Sequence, residues 1–188
     1  MSILQQNIQS AVQLFQALED LEPLVAKAAQ LIGDCVVGGG KLLVCGNGGS
    51  AADGADFSTE FTCRFVSDRR PYPAMNLAEG SSLITATGND YGFEDIFSRQ
   101  VRAYGREGDV LVGITTSGNS ANIIKAIHEA NSLGITTIAL LGKGGGKAHG
   151  LSMIDLIIPC EITARIQEAH KFLLHTICEI IEPRLAKE

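Results

Sequence analysis

Short, continuous apolar runs alternate with helical segments along most of this chain, and this alternation is what most restricts its fold. The clearest runs are 41–45, 109–114, 135–141 and 154–158. Strands that are apolar throughout are typical of a parallel sheet covered by helices on both faces. With a weaker strand at 73–77, the pattern predicts a three-layer α/β domain, an αβα sandwich with a five-stranded parallel sheet.

Helical periodicity predicts the elements that cover this sheet. Apolar residues recur at helical spacing through the first 32 residues, where Pro23 can begin a second helix. Further helices are predicted at 51–65, 95–104, 121–132 and 164–185. We therefore predict a single domain over residues 1–188. Its helical arm, residues 1–32, precedes the α/β core, so we expect the arm's apolar stripe to pack against another subunit.

Charge and composition disfavour several classes of function. The chain has 15 basic and 21 acidic residues, a formal net charge of −6, which disfavours general binding to a nucleic-acid backbone. No apolar run approaches the roughly 20 residues of a membrane span, and the first ten residues lack the pattern of a signal peptide. Five scattered cysteines include no C-x-x-C pair, so we expect free thiols and a cytoplasmic location.

Two loops that follow predicted strands have the composition of a phosphate site. The first, Gly46-Asn-Gly-Gly-Ser50, can bring backbone N–H groups close to an anion at the start of a helix. The second, Thr115-Thr-Ser-Gly-Asn-Ser120, offers four hydroxyl groups and an amide before another helix. Ligands of open α/β sheets bind beyond the carboxyl ends of the strands. Together the loops suit a phosphate monoester with a polyhydroxylated body, although either alone could be an ordinary turn.

Other phosphate motifs fit less well. Residues 46–51 match the dinucleotide fingerprint G-x-G-x-x-A, but that scheme gives no role to the hydroxyl-rich second loop. Residues 142–146 are predicted to form another glycine loop. A P-loop is absent from the sequence, because Lys143 and Lys147 flank a glycine run but neither is followed by Ser or Thr.

Candidate chemical groups lie on the helix after the first loop and on the last helix. Asp56 and Glu60 share a face four residues apart, and Asp53, one turn earlier, is expected to assist capping. The last helix carries Gln167, His170 and His175. A glutamine, a histidine and the acidic pair could surround a metal of the zinc class, or could be a solvated face and structural histidines. Asn89 and Asp90 could contact sugar hydroxyls.

Several strings along the chain are similar, in order and spacing, to those of a known family. They are Cys45-Gly-Asn-Gly-Gly-Ser50, Gly88-Asn-Asp-Tyr-Gly-Phe93, Phe97-Ser-Arg-Gln100, Gly105-Arg-Glu-Gly-Asp-Val-Leu111, Thr116-Ser-Gly-Asn-Ser-Ala-Asn122 and Ala164-Arg-Ile-Gln-Glu168. The family is that of the sedoheptulose 7-phosphate isomerases (phosphoheptose isomerases), a branch of the SIS (sugar isomerase) domain proteins. The resemblance covers nearly the whole chain.

This resemblance implies an αβα sandwich, a cytoplasmic homotetramer and, in many members, bound zinc. It implies conversion of sedoheptulose 7-phosphate to D-glycero-D-manno-heptose 7-phosphate through an enediol, the first step towards the heptose of lipopolysaccharide or surface-layer glycans. The implied partners are therefore a sugar phosphate and further copies of the chain, not nucleic acid or membrane.

The resemblance also assigns roles to individual residues. Glu60 matches the catalytic glutamate and His175 the catalytic histidine. The matching substrate contacts are Asn47, Gly48, Gly49, Ser50, Arg64, Asn89, Asp90, Thr115, Thr116, Ser117, Ser120 and Gln167. The matching Zn²⁺ ligands are Asp56, Glu60, Gln167 and His175.

Two departures from the family pattern stand out. Asp56 replaces the usual His in the segment Asp56-Phe-Ser-Thr-Glu-Phe-Thr-Cys-Arg64, which changes the potential metal ligand from an imidazole to an anionic oxygen. Thr115 replaces the usual Ser, a milder change. The alternative functions are a non-catalytic SIS module of the kind that associates with a replication initiator, and a sugar-phosphate-sensing domain. The retained Glu60, Gln167 and His175 favour the isomerase.

Overall fold

The computed structural model describes residues 1–187, and its centre is a five-stranded parallel sheet, as predicted. The strand order is β2-β1-β3-β4-β5. The strands are β1 (Leu42–Gly46), β2 (Ala74–Asn76), β3 (Val110–Thr115), β4 (Thr136–Leu141) and β5 (Ile154–Ile157). Every residue of β1 and β3 is buried, which explains why both segments are apolar apart from Thr115 at the end of β3.

Helices cover both faces of the sheet. They are α1 (Ile3–Ala17), α2 (Glu22–Val37), α3 (Gly49–Thr62), α4 (Ser81–Asp90), α5 (Ser98–Tyr104), α6 (Ala121–Ser132) and α7 (Thr163–Leu185). One core cluster joins the sheet to α1, α2, α3 and α7, and the other joins its opposite face to α5 and α6. The predicted three layers are therefore confirmed.

The helices that follow β1 and β3 pack on opposite faces of the sheet. The helix after β1 is α3, which packs on one face through Phe57 and Phe61, whereas the helix after β3 is α6, which packs on the other through Ile123 and Ile127. Helices that leave adjacent strands towards opposite faces create a crevice at the carboxyl edge of the sheet. The two loops predicted to bind phosphate flank this crevice.

Three stretches differ from the sequence-based expectation. Residues 81–90 form α4, which was not predicted because a segment rich in Ser, Thr and Gly has a weak apolar stripe. The helix predicted at 95–104 is a short 3₁₀ turn at Phe93–Asp95 followed by α5. The glycine loop predicted at 142–146 belongs to a 3₁₀ segment, Lys143–Ala148, in which Gly144, Gly145 and Gly146 have positive φ.

The N-terminal arm consists of α1, a 3₁₀ turn at Leu18–Leu21, and α2, which ends at Val37 rather than within the first 32 residues. Leu14 and Leu18 are buried against the rest of the domain, and Phe15 packs edge-on against Phe172 of α7 with ring centroids 5.0 Å apart. The first turns of α1 leave large apolar side chains exposed. Within residues 1–187, no helix combines the length and apolarity that a membrane crossing requires.

Candidate active site

Three hydroxyl groups converge at the end of β3. The Thr115 hydroxyl lies 3.0 Å from that of Ser120 and 3.5 Å from that of Ser117. Ser120 is the N-cap residue of α6, yet its side chain makes no capping hydrogen bond and turns towards Thr115 instead. The second predicted loop therefore forms a compact hydroxyl cluster at a helix N-terminus, an arrangement suited to an anion.

An amide pair ties the first loop to the second. The side chains of Asn47 and Asn122 exchange two hydrogen bonds of 2.9 Å, one in each direction. The strand register supports this contact, because Gly46 of β1 pairs with Ile114 of β3 and both loops leave the sheet at the same level. Asn122 thus engages the oxygen and one N–H of the Asn47 amide, which leaves the second N–H and the backbone of this predicted substrate contact for a ligand.

The glycine-rich segment Lys143–Ala148 packs against the loop that carries the hydroxyl cluster. Gly118, with φ of 64°, sits so close to the carbonyl oxygen of Gly145 that a Cβ atom would overlap it. The Ala148 N–H donates to the Gly118 carbonyl at 2.9 Å, and the Lys147 N–H donates to the Asn119 side chain at 3.1 Å. These contacts fix the shape of the loop that carries Ser117 and Ser120.

Helices α3 and α7 lie side by side, so that predicted groups on the two helices face each other. At the start of α3, a Cβ on Gly49 would lie only 2.5 Å from the Gln167 amide nitrogen, so glycine at this position permits the close approach. Further along, Lys171 contacts Asp53 and Asp56, and His175 interacts electrostatically with Glu60. The facing polar residues of the two helices therefore form one row that begins at the first loop. We call this row the polar ladder; it consists of Gln167, Lys171 and His175 on α7 and of Asp53, Asp56 and Glu60 on α3.

Glu60 is half-buried, and its surroundings favour the neutral carboxyl group. Burial is the largest effect and raises the pKa of Glu60 above its ordinary value, and the Asp56 carboxylate acts in the same direction. His175 and Lys171 oppose this increase. A carboxyl group with a raised pKa next to an imidazole is the kind of pair that can exchange protons with a substrate near neutral pH.

Arg69, which the sequence analysis did not single out, holds the end of α3 in place. Its guanidinium donates to the backbone carbonyl oxygens of Glu60 at 2.5 Å and Phe61 at 3.2 Å, and to the Glu182 carboxylate at 3.1 Å. Burial alone would raise the pKa of Glu182, but hydrogen bonds from the Ser67 N–H, from Arg69 and from the Val66 N–H hold it below its ordinary value. Arg69 thus anchors the backbone of the catalytic candidate to α7.

The predicted zinc ligands do not fit a zinc ion in this arrangement. Within residues 1–187, no three His, Cys, Asp or Glu side chains are grouped so that they could hold a metal. Asp56 is ion-paired with Lys171, which also lies 3.0 Å from Asp53. The expectation that Asp53 assists capping is wrong, because the N-cap of α3 is Gly48 and no side chain caps it.

Lys171 is charged in this setting. Burial alone would lower the pKa of its ammonium group, but the hydrogen bonds to Asp56 and Asp53 raise it above the ordinary value. The sequence carried one signal for this residue: Gln167, Lys171 and His175 are spaced four residues apart and so share a face of α7.

His170 has a structural role rather than a catalytic one. Its side chain is completely buried, and Nε2 lies 3.2 Å from the carbonyl oxygen of Leu141, to which it must donate. Burial lowers the pKa of His170 to about 4, so the imidazole is neutral at physiological pH. It packs the last helix against the end of β4, away from Glu60 and His175.

Three predicted substrate contacts lie outside the hydroxyl cluster. Asn89 and Asp90 are exposed at the end of α4, where the Asn89 amide donates to the Asp90 carboxylate at 2.8 Å. Arg64 is exposed just after α3 and donates to the carbonyl oxygen of Val66 at 2.9 Å. Their assigned contacts with substrate stay predictions.

An open cleft of about 520 Å³ borders the hydroxyl cluster and has room for a sugar phosphate. Its lining includes Asn47 and Asn122 from the amide pair, Ser120 from the cluster, and Phe93, whose side chain is exposed. A ligand with its phosphate at Ser120 would therefore extend over the amide pair.

Comparison with known proteins agrees with this geometry. The SIS domain family matches residues 6–142. Phosphoheptose isomerase 1 of Campylobacter jejuni is 43% identical over 96% of this chain and 97% of its own length, and the phosphoheptose isomerase of Geobacter sulfurreducens is 47% identical over 95% of each. The solved structure of phosphoheptose isomerase from Neisseria gonorrhoeae superposes with a TM-score of 0.89 at 42% identity, covering 96% of this chain and 97% of that one. The chain belongs to the SIS-domain family and, within it, to the phosphoheptose isomerases.

Proposed function

We propose that this chain isomerises sedoheptulose 7-phosphate to D-glycero-D-manno-heptose 7-phosphate. The observation that carries the proposal is the hydroxyl cluster of Thr115, Ser117 and Ser120, which adjoins the first loop. Helix α3 begins at that loop and carries Glu60, which interacts with His175 of α7. A phosphate held at the cluster would present the far end of an extended sugar to the carboxylate. Such positioning is what makes proton transfer between neighbouring carbon atoms efficient.

In the proposed mechanism, Glu60 removes a proton from C1 of the ketose. The electron pair forms the C1–C2 double bond of an enediolate, and the negative charge moves onto the C2 oxygen. Glu60 then returns the proton to C2, while His175 moves the hydroxyl proton from the C1 oxygen to the C2 oxygen. An imidazole can both donate and accept a proton near neutral pH, which suits this exchange.

The proposed phosphate site needs no basic side chain at its centre. Backbone N–H groups and hydroxyls at a helix N-terminus bind anions through the helix dipole and direct hydrogen bonds. Ser120 supplies both features, because its hydroxyl belongs to the cluster and its backbone begins α6.

Replacing Ser120 with alanine should weaken substrate binding more than turnover. The variant removes one hydroxyl of the phosphate site while leaving Glu60 and His175 untouched, so we expect KM to rise by about 10-fold, the effect of about one lost charged hydrogen bond. Steady-state kinetics would measure the change. Ser132→Ala, at the opposite end of α6, is the matched control and should behave like the wild type. An unchanged KM in both Ser120→Ala and Thr115→Ala would remove this assignment.

The direct test of the proposed function is an assay of the purified protein with sedoheptulose 7-phosphate and detection of heptose 7-phosphate. We expect saturable turnover that is lost in Glu60→Gln. A wild-type protein that is inert on every seven-carbon sugar phosphate would favour the non-catalytic SIS module instead.

The exposed face of α1 supports a further part of the proposal, a homotetramer. Leu4, Ile8 and Val12 recur every four residues and, like the neighbouring Ile3, are more than half exposed. An apolar stripe of this kind is stabilised when a second subunit covers it. Light scattering at micromolar concentration should therefore give the mass of a tetramer, and Ile8→Glu should shift it towards smaller species. A monodisperse wild-type monomer would contradict this expectation.

A cytoplasmic location is likewise proposed, with the product used for the heptose of lipopolysaccharide or other surface glycans. The five cysteines within residues 1–187 support this location because all are free thiols. Burial raises the pKa of Cys45 to about 12 and is the main cause that raises that of Cys35 to about 11, so both thiols are unreactive.

A further inference from the structure

Lys171 occupies the middle of the polar ladder between α3 and α7. It lies four residues after Gln167, which contacts the first loop, and four residues before His175, which interacts with Glu60. All three side chains therefore share one face of α7. The ammonium group lies between the loop end of the crevice and the catalytic carboxylate.

Two carboxylates on α3 fix the position of this ammonium group. Asp53, whose side chain is only 12% exposed, lies 3.0 Å from Nζ, and Asp56 makes a second, closer contact. The Lys171 side chain is itself 29% exposed, so it is held from the side of α3 while part of it stays accessible to a ligand. Two contacts to one Nζ atom restrict the motion of a side chain that is otherwise flexible.

The same pairing opposes a divalent metal at this position. Asp56 stands where the family usually has His, and its carboxylate is ion-paired with Lys171 in the structure. A zinc ion that used Asp56 would have to displace the ammonium group or lie beside a like charge, which is unfavourable at such short range. The Asp56–Lys171 ion pair thus occupies the position where the family resemblance implies a zinc ion and its ligand.

We propose that the Lys171 ammonium supplies the positive charge for which the family resemblance implies a zinc ion, so that this isomerase works without a divalent metal. The inference rests on the proposed function. When Glu60 takes the proton from C1, negative charge develops on the C2 oxygen, and a fixed ammonium group stabilises that charge in the transition state. Lys171 stays protonated throughout, since the proton on carbon moves through Glu60 and the hydroxyl proton through His175.

The first test measures zinc binding by calorimetry, independently of activity. Titration of the full-length protein with zinc chloride should show weak binding to the wild type. Lys171→Met removes the competing charge and leaves Asp53, Asp56 and Glu60 in place, so it should bind zinc at least about 10-fold more tightly. Lys41→Met is the matched control, because Lys41 is similarly exposed and paired with Asp109 at the opposite edge of the sheet. Equal or tighter zinc binding by the wild type than by Lys171→Met would overturn the proposal.

The second test measures turnover after treatment with EDTA. The wild type should keep its kcat, whereas Lys171→Met should lose at least about 100-fold in kcat with little change in KM, as expected for a group that acts on transition-state charge. Lys171→Arg keeps the charge and should recover about a tenth of the wild-type kcat or more. Loss of wild-type activity with EDTA and its return with zinc would contradict the proposal, as would full EDTA-resistant turnover by Lys171→Met.

The two tests separate failure of this inference from failure of the proposed function. A wild-type protein that is inert on sedoheptulose 7-phosphate contradicts the function. The zinc titration still decides, in that case, whether Lys171 excludes a metal from the site.

Discussion

Replacing Glu60 with glutamine is expected to lower kcat by at least about 100-fold, the typical effect of removing a general base. Glutamine keeps the size of the side chain and its place beside His175, but it cannot accept a proton from C1. In the proposed site the phosphate is held by the hydroxyl cluster and not by Glu60, so KM should change little. Steady-state kinetics with sedoheptulose 7-phosphate would separate these two effects.

The same substitution should not destabilise the fold at neutral pH. Because burial raises the pKa of Glu60, the folded protein binds a proton at this site more tightly than the unfolded chain does. The stabilisation from the protonated form is present at low pH and is lost as pH rises through the raised pKa. At pH 7, Glu60→Gln should therefore melt at the same temperature as the wild type or higher, and any such gain should shrink as pH falls.

Glu107→Gln provides the control for both measurements. Glu107 is exposed in the turn before β3, at the opposite edge of the sheet from the crevice, and should leave kcat and melting temperature unchanged. Near-normal turnover by Glu60→Gln would mean that the base is a different residue. Loss of turnover together with a lower melting temperature would mean that Glu60 supports the structure rather than the reaction.

Strongly patterned parts of the fold could be predicted from the sequence alone. The runs that became β1 and β3 are apolar apart from Thr115 because both faces of a central strand are buried. Helix α6 has the predicted bounds because its apolar residues recur at helical spacing after the polar loop. Helix α4 lacked such a stripe: Thr87 is its only fully buried residue within the described chain, so local pattern carried little information about it.

The candidate site was predictable as a set of residue types but not as a set of contacts. Hydroxyl-rich composition pointed to Thr115, Ser117 and Ser120, and the structure brings their hydroxyl groups together. The roles of Lys171 and Arg69 depend on α7 lying beside α3, which are more than 100 residues apart in sequence. No local pattern encodes that pairing, so Asp56 could be identified as unusual without its partner being found.

Replacing Gly118 with alanine should cost at least about 3 kcal/mol of stability. Two effects add at this position. Its φ of 64° is strained for any residue with a Cβ, and that Cβ would overlap the Gly145 carbonyl oxygen and lie 2.8 Å from the Gly146 nitrogen. Both neighbours are backbone atoms, so relief requires the whole segment 143–148 to move.

Gly144→Ala isolates the contribution of the contact from that of the backbone conformation. Gly144 has a similar φ of 70°, but a Cβ there would meet no atom within 4 Å, so the expected cost is only about 1 kcal/mol. Urea unfolding of the two variants should differ by at least about 2 kcal/mol. Because Gly118 lies between Ser117 and Asn119, its alanine variant should also raise KM, since any shift of this loop separates the hydroxyl groups proposed to hold the phosphate. Equal losses of stability in the two variants would show that the Gly118–Gly145 contact does not shape the loop.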